Sequence, residues 1–67
     1  MSFIKVKGMV SFMNGGAALF PYQEIELLVP YPWETGDIAS SFKKAVELSA
    51  FCPTGYTINV VENVKEV

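Results

Sequence analysis

Neither histidine nor arginine occurs anywhere in this chain of 67 residues, and its positive charge rests on five lysines, Lys5, Lys7, Lys43, Lys44 and Lys65. Lacking histidine, the chain has no usual general base near neutral pH and not the commonest metal ligand. Lacking arginine, it has no planar fork for reading phosphate, carboxylate or guanine edges. The single cysteine, Cys52, can form no disulfide within the chain, and near a helix C-terminus its thiolate would face the negative end of the helix dipole. The cysteine therefore reads as a small half-buried apolar side chain, and catalytic, cofactor-binding and metal-binding residues are expected to be none. Long apolar runs are missing too. Although 51% of the residues are hydrophobic, no run is long enough to span a bilayer, and no membrane association is expected. The first residues alternate polar and apolar and do not build a basic stretch followed by an apolar block, which argues against a signal peptide. With one unpaired cysteine the expected compartment is the cytoplasm.

A net charge of −2 mildly repels nucleic acid and is far short of the carboxylate density of a DNA mimic. A chain this short buries only about 60% of the surface of its unfolded form, so its core is thin. With disulfides and a histidine-based metal site excluded, association with a second copy is the remaining way to add buried surface.

Residues 1–67 read as one folding unit with no repeat and no flexible linker. Residues 2–13 alternate, Ile4 and Val6 to one side and Phe3, Lys5 and Lys7 to the other, as a half-buried strand requires. Asn14, Gly15 and Gly16 then supply a tight hairpin turn. With Gly15 and Gly16 as the loop, paired positions sum to 31, which sets Val6 opposite Ile25, Ile4 opposite Leu27, Phe3 opposite Leu28, Lys5 opposite Glu26 and Lys7 opposite Glu24. Apolar then meets apolar and lysine meets glutamate. Gly8 and the Phe20-Pro21 pair predict a bulge or bend within the paired region. The second strand ends near Val29, at Pro30-Tyr31-Pro32. Asp37 caps a helix with Ile38, Phe42, Ala45 and Val46 inward and Ser41, Lys44 and Glu47 in water, stopped by residues 52–55. A last strand from Tyr56 turns Ile58 and Val60 inward and frays over residues 62–67.

The expected fold is α+β in the order β-β-α-β: a three-stranded sheet of antiparallel type, spatial order 2-1-3, with one helix on one face. Its uncovered face would carry Phe3, Leu28 and Val61 around the lysine–glutamate pairs, with Val64 and Val67 added by the tail. That is more apolar surface than a lone small domain should show to water. Tyr31-Pro32-Trp33 places two aromatics on stiff backbone, the usual material of interface anchors, and Trp33 reads equally as a staple folded onto the helix start. Tyr31, Trp33, Phe3, Leu28 and Val61 are the candidate protein-contact residues. The function this implies is non-enzymatic protein binding by a homodimer, for instance as a viral or mobile-element inhibitor or adaptor that blocks a host protein. The rival readings are weak nucleic-acid binding on the open sheet face and a structural subunit of a larger assembly.

Overall fold

The computed structural model describes residues 2–15, 17–18 and 21–67. Its strands are β1 (Ser2–Asn14), β2 (Ala17–Ala18), β3 (Gln23–Tyr31) and β4 (Thr57–Glu66), and a short 3-10 turn (Glu34–Gly36) leads into helix α1 (Ile38–Glu47). Strand β1 is central: Val10 pairs with Gln23 on one side and with Val61 on the other, and Met13 pairs with Ala18 and Thr57. Strands β2 and β3 thus follow one edge of β1 and β4 the other, all antiparallel to it, and α1 covers one face. The proposed α+β order is the observed one.

The register departs from the sequence expectation by two residues. Near the turn, Met13 pairs with Ala18 and Asn14 with Ala17, sums of 31 as expected, and Gly15 takes the positive φ of 64° that the turn requires. From Val10 opposite Gln23 to Ser2 opposite Tyr31 the sum is 33. Between the two stretches β1 advances three residues and the returning chain five, so the segment around Pro21 adds two residues to one side only. A shift of two keeps every side chain on its face, which is why the inward set survives while the partners change. Ile4 faces Val29, Val6 faces Leu27, Lys5 faces Leu28 and Lys7 faces Glu26. Gly16 of the expected turn and Phe20 of the expected bend lie outside the described residues.

Strand β4 carries two bulges. From Ser11–Val60 to Phe12–Ile58, and again from Met9–Glu62 to Lys7–Lys65, it spends one residue more than β1. The first extra residue inverts the alternation after Ile58, so Val61 and then Val64 pack against the core and Val60 lies opposite Ser11 on the outer face. The second bulge holds Asn63 at φ 55°, a conformation asparagine tolerates better than most residues. Residues 62–67 are therefore not a frayed end: pairing reaches Val6–Glu66, and the Val67 N–H donates to the Lys5 carbonyl at 3.0 Å.

The helix begins where Asp37 predicts, its carboxylate accepting from the Ala39 N–H at 3.0 Å and from the Ser40 hydroxyl at 2.9 Å. It stops earlier than expected, at Glu47, because Ser49 takes up the Val46 carbonyl with both its hydroxyl, at 2.7 Å, and its N–H, at 3.1 Å. Ser41, expected in water, is buried, and its hydroxyl accepts the Glu34 N–H at 2.7 Å, tying the 3-10 turn to the helix.

Phe42 and Val46 lie against Val6, Val10, Phe12, Ile25, Val29 and Ile58, each such side chain contributing about 1.5–3 kcal/mol by leaving water. Gly8 makes room for this contact. It pairs regularly with Ile25, and a Cβ placed on it would lie 2.9 Å from Phe42 Cε2 and 3.1 Å from Val64 Cγ2. The irregularity expected at Gly8 falls instead on the β4 side, between Lys7 and Met9.

Candidate functional site

On the face opposite α1 the odd-numbered residues of β1 from Phe3 to Met9 stand in rows with their neighbours. Phe3 lies beside Pro30, and Lys5 is flanked by Leu28 and Val67. The next row is Glu26, Lys7 and Lys65, and the one after it Glu24, Met9 and Glu62. One end of the face is thus an apolar corner, in which Phe3 is 59%, Leu28 58% and Val67 65% exposed. Three such side chains set around Lys5 form a patch, whereas a single exposed leucine would mean nothing.

The ion pair of Lys5 Nζ with Glu26 Oε1, 3.4 Å apart, runs into this corner, since Lys5 stands between Leu28 and Val67. This pair was expected from directly opposed residues and is instead diagonal, because Lys5 faces Leu28. Exposed pairs of this kind contribute about 0–1 kcal/mol, so it orients the Lys5 side chain more than it holds the fold. Lys7 and Lys65 face each other across β1 and β4, and neither forms an ion pair among the described residues. They line an open depression of about 340 Å³ beside the Asn63 bulge, shared with Met9 and Glu24.

The five candidate contact residues separate into three groups. Phe3 and Leu28 belong to the exposed corner. Val61 is half-buried and packs against the core, turned to that face by the bulge that precedes it. Tyr31 and Trp33 form an edge-to-face pair with ring centroids 4.9 Å apart, Trp33 half-buried against the core and Tyr31 44% exposed above it. Of the two readings of Trp33 the packing favours the staple, with Tyr31 as the ring that reaches water.

Sequence reasoning passed over Leu48 and Phe51, which are 81% and 52% exposed just beyond the end of α1. The signal was Ser49, whose hydroxyl ends the helix and turns these side chains out. A groove of about 130 Å³ lies next to them, between Pro30 of β3 and Ser41, Ala45 and Leu48, with the Glu34–Lys44 ion pair at 2.9 Å on its rim.

Cys52 is half-buried against the core with its thiol 3.4 Å from the Tyr56 carbonyl. Among the described residues no three histidine, cysteine or acidic side chains cluster as metal ligands would, and no helix is long and apolar enough to cross a membrane. No known protein family matches the sequence, and neither a curated protein nor a solved structure is detectably similar to it.

Proposed function

We propose that the chain is a small protein-binding module that acts by occupancy, as an inhibitor or adaptor, and performs no chemistry of its own. The observation that carries this reading is the corner of Phe3, Leu28 and Val67, exposed together on the sheet face opposite the helix. Exposed apolar side chains beside a charged pair are usual material of a protein contact, and here Phe3, Leu28 and Val67 stand around Lys5, which pairs with Glu26. Rigid backbone lowers the ordering cost of binding, and all three side chains stand on paired strand or at its end.

Affinity capture with the intact chain, repeated with Phe3→Glu and with Leu48→Glu, tests the reading. A partner retained by the unmodified chain and by Leu48→Glu but lost from Phe3→Glu supports it. A partner held equally by all three overturns the assignment of the corner.

A second reading has one observation behind it. Lys7 and Lys65, side by side and without an ion pair among the described residues, with Phe3 at the far end of the same face, offer cations and a ring to a single-stranded nucleic acid. Binding of oligonucleotides that weakens steeply with salt would favour it. The adjoining Glu24, Glu26 and Glu62 weigh against it.

A further inference from the structure

The two outer edges of the sheet differ. Strand β4 is bulged twice and holds Asn63 in a left-handed conformation, devices that spoil an edge for further pairing. Strand β3 pairs with β1 through nine consecutive residues without a shift, and among the described residues nothing pairs with its other side. Which of its peptide groups face outward follows from two facts. The Lys5 carbonyl accepts from Val67, the residue that follows β4, so the peptide groups of Lys5 turn toward β4 and those of Leu28, opposite Lys5, turn away from β1. Proline at position 30 requires the same phase, since within a sheet its missing N–H is tolerated where the ladder does not need it. The N–H groups of Glu24, Glu26 and Leu28, and the carbonyls of these residues and of Pro30, therefore point outward.

From this we infer that β3 joins β3 of a second copy of this chain, antiparallel about a two-fold axis at Leu27, to make one continuous sheet. A two-fold pairing must match outward-facing residues with outward-facing residues, which restricts the registers to a few. Centring on Glu26 would set the two Glu26 carboxylates directly against each other, which is unfavourable. Centring on Leu28 would leave Glu24 beyond the partner strand. Centring on Leu27 sets Glu26 opposite Leu28 and Glu24 opposite Pro30 of the second copy, so every outward N–H of the edge meets a carbonyl and no two like charges stand opposed. The same register brings the half-buried Leu27 side chains of the two copies together on the helix face. The inference stands apart from the reading of the apolar corner, since the edge can be filled while the open face stays free.

Leu28 provides the test, because the register sets it against Glu26 of the other copy. Leu28→Glu should raise the dimer dissociation constant, measured by analytical ultracentrifugation, by about tenfold through two symmetric like-charge pairs, and Leu28→Lys should leave it unchanged or lower it. Within one chain the charges act the other way, since position 28 faces Lys5, so a dimer lost from Leu28→Glu cannot be ascribed to a weakened fold. As a second measurement, Leu27→Cys in a Cys52→Ser background should oxidise to a covalent dimer, opposed residues of a non-hydrogen-bonded pair having Cα atoms about 4.5 Å apart, within disulfide reach. Leu48→Cys in the same background should not. A monomeric mass for the unmodified chain across the micromolar range overturns the inference. So does equal weakening of the dimer by both Leu28 variants, the result expected if the copies met through the open face, or linkage at position 48 without linkage at position 27.

Discussion

Asp37 and Ser41 do more for this fold than their size suggests, because each satisfies backbone N–H groups at the entry to the only helix among the described residues. Asp37→Ala should cost about 1 kcal/mol, the usual worth of an N-cap, read as a shift in the denaturation midpoint at unchanged slope. Ser41→Ala should cost a similar amount, about 1 kcal/mol, by removing the acceptor of the Glu34 N–H inside the protein. Asp37 was legible in the sequence, since a cap is a local pattern. Ser41 was not, because its role depends on a turn seven residues earlier coming back over the helix. Tyr31 and Trp33 should separate in the same way. Trp33→Ala should lower the melting temperature by several degrees through lost packing, and Tyr31→Ala should leave it nearly unchanged.

Strand β4 is the element that most changes the picture drawn from sequence. If its last residues are a working strand, removing residues 62–67 strips the pairing of β1 beyond Met9 and the packing of Val64, and cooperative thermal unfolding followed by circular dichroism should be lost or fall well below that of the intact chain. The bulge itself can be probed at Asn63. Asn63→Gly should be neutral or stabilising, whereas Asn63→Val should cost about 1–2 kcal/mol, the penalty for a left-handed conformation with a branched side chain. Alternation told which faces of β1 and β3 turn inward, and it survived a two-residue error in register because side chains alternate with period two. It failed on β4, where a single extra residue at Asn59 reverses the phase and exchanges Val60 for Val61. A bulge leaves little mark on a sequence, and nothing in residues 57–61 distinguishes the strand with an extra residue from one without it.

For the molecule as a whole the question is how much loss it can absorb. At the usual 0.05–0.15 kcal/mol per residue, a chain of this length has roughly 3–10 kcal/mol of stability. Phe42→Ala would remove about 3–5 kcal/mol and should leave a large unfolded fraction, visible as collapsed dispersion in a proton–nitrogen correlation spectrum. Phe3→Ser, which alters an exposed ring of similar size, should leave the same spectrum dispersed. That contrast separates the apolar residues that hold the fold from those free to meet a partner. The close approach of Phe42 to Gly8 adds a historical constraint. A Cβ at position 8 would press on the phenyl ring at 2.9 Å and on Val64 Cγ2 at 3.1 Å, so a side chain there requires the ring to move or shrink. Gly8→Ala should harm the protein in the present background and be tolerated beside Phe42→Leu, so the present ring at position 42 decides which substitutions the descendants of this chain can explore at position 8.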